Sequence, residues 1–320
     1  MSHAPSHSLP LPAFQIGHAH DPHVKTGVTV LLPGNPALCA VDVRGGGPGT
    51  RETDTLALGG LVDRVHAIVL SGGSVYGLAA ADAVCAELGA KGIGFVAGPP
   101  PIPVSPVVPS AILFDNANGG DKAWGATPPF HRLGQKALQS ASNETAEGAI
   151  GAGFGATAGA YAGGFGMASE IIDGVTVCAF IAANPVGSPY LPGTNVPHAW
   201  IYERGNEFNG AHPPEGYRWA DPTDTKLSRF ARAGQNTVIG AVVTDAALSA
   251  SDLKRLAIMA QDGLALSVQP SHTPLDGDTI FALSIGERPA DGPAILSNIG
   301  AAAARCLARA LTRGVLAAQS

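Results

Sequence analysis

Residues 236–266, NTVIGAVVTDAALSASDLKRLAIMAQDGLAL, change period halfway along, and that change decides the architecture. NTVIGAVVTDA (236–246) is a β-branched apolar run and reads as a buried strand. Beyond it Ser249 or Ser251 can cap a helix, with Leu253, Leu256, Ala257, Ala260 and Leu264 on one face. Downstream, DTIFALSIG (278–286) reads as a last strand and 298–318 as a last helix. Upstream, GVTVLLP (27–33) and CAVDVRGGGPG (39–49) are strand-like. VHAIVLSGG (65–73) is a buried strand entering a turn, and VYGLAAADAVCAEL (75–88) has helical spacing. KGIGFVAG (91–98) reads as another strand, and IPVSPVVPSAILFDN (102–116) is punctuated by proline and then apolar. HRLGQKALQSAS (131–142) reads as a helix and GVTVCAFIAANPVG (174–187) as a long buried strand turning at Asn184-Pro185. Residues 190–235 carry Pro, Gly, Asn and most of the local charge, an exposed excursion. Strands and helices alternate without a strict βαβ repeat, so an α+β layered sandwich fits better than a barrel.

The 320 residues can build one large core, and charged residues make up only 14% beside 42 Gly and 26 Pro. A net charge of −6 with no gathering of Lys and Arg argues against nucleic acid. Cys39, Cys85, Cys178 and Cys306 are widely spaced in apolar stretches and read as small buried hydrophobes of a reducing compartment. The N-terminus lacks a basic start and an apolar segment, and no apolar run reaches the roughly 18–20 residues of a membrane span. A soluble cytoplasmic protein is expected. Residues 1–24, rich in His, Pro and Ser, read as a loose arm ahead of a single catalytic domain, 25–320. The arm holds His3, His7, His18, His20 and His23, without the spacing of a metal site.

Four places could carry chemistry. In the glycine-dense stretch 148–169, Gly151-x-Gly153-x-x-Ala156 matches a relaxed dinucleotide fingerprint, but further glycines follow where a helix should open, so a structural role is favoured. Ser74, in GGSVYG (72–77), lies in a strand–turn–helix setting like a nucleophile elbow; the alternative is a helix cap. No His follows in an obvious triad position, which leaves only His131, His198 and His272 open as partners. In QNTV (235–238) a polar, Gly-preceded loop (233–236) meets a buried strand at a hydroxyl residue. Thr237 either starts a strand or becomes an N-terminal nucleophile after cleavage, its α-amine, pKa near ~7.7–8.0, acting as its own base. Finally, HTPLDGDT (272–279) places Asp276 and Asp278 on either side of a glycine, either an exposed turn or a pair that orients an amine or hydroxyl.

AVDVRGGGPGTRETD, AIVLSGGSVYGLAAADAV, KGIGF, VPSAILFD, GAGFGATAG, AANPVG, NTVIGAVVTDA and HTPLDGDTIFAL, in that order, resemble the DmpA/NylC family of peptidases (S58). That family comprises aminopeptidase/D-amino-acid esterases, β-peptidyl aminopeptidases and 6-aminohexanoate (nylon) oligomer hydrolases. The resemblance covers about 25–290, and the Asn-Thr junction looks closest to the nylon-oligomer branch. It implies a four-layer αββα sandwich of the N-terminal-nucleophile type. It also implies self-cleavage at Asn236–Thr237 into 25–236 and 237–320, with Thr237 as nucleophile and Asn184 on the oxyanion. Asp276 and Asp278 would orient the threonine. No metal or organic cofactor is implied, and the partners would be a small amide or oligomer substrate and further copies of the chain in a tetramer-type assembly. Two positions depart from the nylon-oligomer pattern: Phe114 stands for a tyrosine and Ala160 for a lysine, with Tyr161 a possible replacement donor. An amide hydrolase is expected, acting on nylon-type oligomers, on peptide or β-peptide N-termini, or on D-amino-acid amides and esters. Acyl transfer of the ornithine-acetyltransferase kind and an unprocessed binding protein are the alternatives.

Overall fold

A computed structural model of the chain describes residues 7–228 and 236–320. In chain order its main strands are β1 (Phe14–Asp21), β2 (Thr26–Pro33), β3 (Ala37–Val43), β4 (Ile68–Ser71), β5 (Ser110–Ile112), β6 (Gly164–Ile172), β7 (Val175–Asn184), β8 (Thr237–Ala247) and β9 (Thr279–Pro289). The helices are α1 (Ala79–Ala90), α2 (Phe130–Gln139), α3 (Ala250–Ala260) and α4 (Pro293–Gln319). One sheet runs β6-β7-β8-β9-β3 and is completed by Arg64–Val65; the other runs β1-β2-β4-β5 and is completed by Thr50–Arg51. Neighbours are antiparallel except β8 with β9 and β4 with β5.

Successive side chains of a strand face opposite ways, so a strand covered on both sides must be apolar throughout. In β7, Cys178, Phe180 and Ala182 face the second sheet, where Phe180 stacks on Phe14 with centroids 5.4 Å apart. Val177, Ala179 and Ile181 join the opposite core with Leu256, Leu307 and Leu311 of α3 and α4. On the far side, Val28, Val30 and Val69 pack with Val84 of α1 and Leu133 of α2. Helices, sheet, sheet and helices thus form the expected four-layer αββα sandwich. Ser249 caps α3 by accepting from the Asp252 N–H, and Leu253, Leu256, Ala257, Ala260 and Leu264 are buried as their spacing foretold.

Three expectations need correcting. The stretch taken for an arm is part of the sandwich over its described residues: β1 lies within 1–24, with Phe14 and Ile16 buried between the sheets. Its histidines diverge. His7 faces Glu147, His18 bonds the Thr29 and Thr145 hydroxyls, His20 stacks on Phe154 and His23 pairs with Asp121. His3 lies outside the described residues. The segment 91–98 contributes only an isolated bridge, Phe95 with Ser105, because the prolines that follow remove the donors of a ladder. Helix α4 is long and apolar enough, by length and composition, to cross a membrane, but it packs on β6 and β7. The four cysteines are unpaired; Cys39, Cys178 and Cys306 are buried, and burial pushes all three thiols up, Cys306 to about 12.

Candidate active site

Thr237 is the first residue of β8, and its partner across the antiparallel ladder is Asn184, the last residue of β7. Both are buried, Thr237 at 3% exposure and Asn184 at 1%. The register therefore delivers the two residues to one point at the mouth of the sheet. The Thr237 hydroxyl donates to the Asn236 carbonyl, on the peptide bond where cleavage is expected. Residues 233–235 of the preceding polar loop lie outside the described residues.

The HTPLDGDT turn closes over this point just before β9. Asp278 Oδ1 accepts from the Val238 N–H at 2.8 Å, so one carboxylate holds the backbone next to Thr237. Its Oδ2 accepts from the His272 N–H at 3.1 Å and bonds His272 Nδ1 at 2.8 Å. Asp276 Oδ1 accepts from the Val186 N–H at 3.0 Å, and its Oδ2 takes the Thr273 N–H and hydroxyl at 3.0 and 2.6 Å. Burial, and then the Asp278 charge, raise the Asp276 carboxyl above its ordinary value. The turn is clasped from the other side by the glycine run after β3: Arg44 N and Gly47 N donate to the carbonyls of Asp278 and Asp276 at 2.9 and 2.7 Å.

Asn184 Oδ1 accepts from the Thr157 N–H at 2.9 Å, and Nδ2 donates to the Phe114 carbonyl at 2.9 Å. The backbone of residue 114 thus touches Asn184 although its ring carries no hydroxyl. Tyr161 goes elsewhere, edge-on to Tyr190 at 4.7 Å, and burial together with Asp224 pushes its phenol to about 12. The group that sequence reasoning missed is Lys226. Its Nζ lies 3.1 Å from both the carbonyl and Oδ1 of Asn184, and burial brings its pKa down to about 7 against the opposing pull of Asp276. Lys226 belongs to the excursion read as exposed, where a charge signals solvent; no local pattern distinguishes it. His272 was legible in its string and as an open partner of Ser74, but not as the partner of Asp278.

The other two places gather no comparable cluster among the described residues. Gly151–Gly153 is a single 3-10 turn with Gly151 at φ +48° against the His18 ring, which leaves no space for a Cβ. Ser74 does sit between a strand and a helix, at φ +55°, yet among the described residues no hydrogen bond joins it to an imidazole. His272 is held by Asp278, and His198 lies beside Trp219.

The fold recurs in solved structures. A β-aminopeptidase of Burkholderia sp. superposes with a TM-score of 0.69 at 20% identity, covering 98% of this chain and 88% of that one. The L-aminopeptidase D-Ala-esterase/amidase of Ochrobactrum anthropi, described as a variant of the Ntn hydrolase fold, gives 0.68 at 20% identity, covering 97% and 87%. In sequence, an uncharacterized aminopeptidase of Mycobacterium bovis is 44% identical over 308 residues, 92% of this chain and 86% of that protein. A 6-aminohexanoate-oligomer endohydrolase of Kocuria sp. is 30% identical over 285 residues, 86% and 74% of the two chains. The family model for peptidase family S58 matches residues 11–320. With its sandwich and nearly its whole length matched, this chain belongs to peptidase family S58.

Proposed function

We propose that the chain is an amide hydrolase that cuts itself between Asn236 and Thr237 and then uses Thr237 as an N-terminal nucleophile. The contact between the Thr237 hydroxyl and the Asn236 carbonyl carries this reading. Attack of Oγ1 on that carbonyl carbon gives an ester and frees the Thr237 amine; water then hydrolyses the ester. Asn236 is buried on the other side of that bond, and its Oδ1 has no hydrogen-bond partner among the described residues. The halves stay associated, because β8 of the small chain remains paired with β7 and packed between two cores.

In turnover the freed amine takes the proton from Oγ1 as it attacks a substrate amide. The Asn184 amide donates to the oxyanion, and Asp278, through Val238, keeps the nucleophile in place. The leaving amine recovers the proton, and water releases the acyl group. This sequence of steps needs no metal or organic cofactor. The named activities of the relatives support a small peptide-like or 6-aminohexanoate-type amide as substrate. A cytoplasmic homo-oligomer of cleaved pairs completes the proposal.

Intact-mass analysis of the denatured protein tests it. Two fragments are expected, the smaller beginning at Thr237, while Thr237→Ala stays whole and inactive. A cleaved, active Thr237→Ala protein would overturn the assignment.

A further inference from the structure

We propose that Lys226 is a positioning residue for Asn184: it fixes which end of the side-chain amide faces the reacting carbonyl. The inference rests on the hydrolase reading above. An asparagine amide has nearly the same shape in its two flipped states, so its neighbours decide the orientation. At one end stand the Thr157 N–H at 2.9 Å, which can only donate, and the Lys226 amine at 3.1 Å, which can only donate in its protonated form, with the Thr157 hydroxyl at 3.4 Å. At the other stands a group that can only accept, the Phe114 carbonyl at 2.9 Å. Flipping the amide would set NH₂ against the ammonium and the N–H, and oxygen against the carbonyl. The NH₂ is thereby held on the side where a donor is useful to an oxyanion.

Lys226 is itself fixed. Its backbone N–H donates to the Val186 carbonyl at 2.9 Å while its Nζ reaches the Asn184 carbonyl at 3.1 Å, so both ends of the residue grip the turn after β7. That turn is bound in turn by Asp276 through the Val186 N–H. The residue as a whole is only half-buried, but desolvation of its ammonium brings the pKa to about 7. Lys226 reaches Asn184 from the excursion, a different part of the chain from Ala160.

The test compares wild type, Lys226→Met, Lys226→Arg, Asn184→Ala and the Lys226→Met/Asn184→Ala double variant, with Thr237→Ala as a blank. Self-cleavage is followed by intact mass, and single-turnover acetylation of the Thr237 fragment is followed with p-nitrophenyl acetate. Removing a direct oxyanion donor costs roughly 10²–10³-fold, so a residue acting through that donor should cost about 10- to 100-fold in Lys226→Met. Lys226→Arg should recover part of the rate. In the Asn184→Ala background the lysine substitution should change the rate less than about threefold, since residues that act as one unit are not additive. A folded Lys226→Met chain that stays uncut while Lys226→Arg is cut agrees with the same role. Acetylation within about threefold of wild type in Lys226→Met, or an equal loss in both backgrounds, overturns the proposal. So does failure of both Lys226 variants to cleave. A wild-type chain that remains whole and unlabelled defeats the hydrolase reading instead, and this role falls with it.

Discussion

Gly277 stands between Asp276 and Asp278 with its α-carbon turned towards Thr237. A Cβ built there would lie 2.8 Å from Thr237 Oγ1, 2.8 Å from the Gly47 carbonyl and 3.0 Å from Pro48 Cα. Any side chain therefore moves either the hydroxyl or the clasp that holds the aspartate turn. Displacements near 1 Å cost about 10²-fold in reactions that depend on placement. Gly277→Ala should accordingly slow both self-cleavage and acetylation of Thr237 by one to two orders of magnitude. A time course by intact mass checks this, and wild-type rates in Gly277→Ala would show that the turn absorbs the methyl group.

Helix α3 is the crossover that lets β8 and β9 lie parallel, with Thr237 at the start of one strand and Asp276 and Asp278 just before the other. Its position is tied to β3: Lys254 Nζ donates to the Val41 carbonyl at 2.7 Å, and Gln261 Nε2 to the Asp42 carbonyl at 2.8 Å. At its N-terminus Ser249 accepts from the Asp252 N–H, and it alone supplies the side-chain cap of that helix. Ser249→Ala should cost about 1 kcal/mol of stability. The uncut Thr237→Ala chain is the right background for a urea melt, because its unfolding is not complicated by dissociation of two fragments. Self-cleavage of Ser249→Ala itself should be unchanged. A loss of cleavage would mean that the cap governs the site as well as the helix.

Across the whole molecule, the first strand is bound into the sandwich by a neutral histidine. His18 bonds the Thr29 and Thr145 hydroxyls at 2.9 Å through its two ring nitrogens, and its edge meets Phe165. Burial first, and His20 second, lower its pKa to about 3. The unfolded chain takes up that proton near pH 6.5 and the folded chain does not, so stability present above pH 6.5 is lost as the pH falls towards 3. The slope reaches up to about 1.4 kcal/mol per pH unit. His198, lowered to about 4 chiefly by burial, acts with the same sign. Raised Asp276 opposes both. In the uncut background, stability should fall more steeply between pH 7 and 5 with His18 present than in His18→Gln. Equal slopes would show that His18 is not part of the acid response.

The sequence by itself determined the layers and singled out four residues, Asn184, Thr237, Asp276 and Asp278, that the fold gathers at the candidate site. Runs such as VCAFIAA (177–183) and VIGAVV (238–243) carry no polar side chain because both strand faces are covered, and the helix after Ser249 repeats every three to four residues because one face is. Asn184, Thr237, Asp276 and Asp278 were legible because each lies at the edge of such a run, where a polar residue stands out, and because the strings around them resemble a family. Only the tertiary structure decided that Phe14 and Ile16 belong to the core, that Asn184 faces Thr237, and that Lys226 reaches the Asn184 amide. The reason is distance along the chain. Lys226 lies 42 residues beyond Asn184, in a segment with no period of its own, and only the folding of that segment against the turn after β7 takes its charge out of water and into the site.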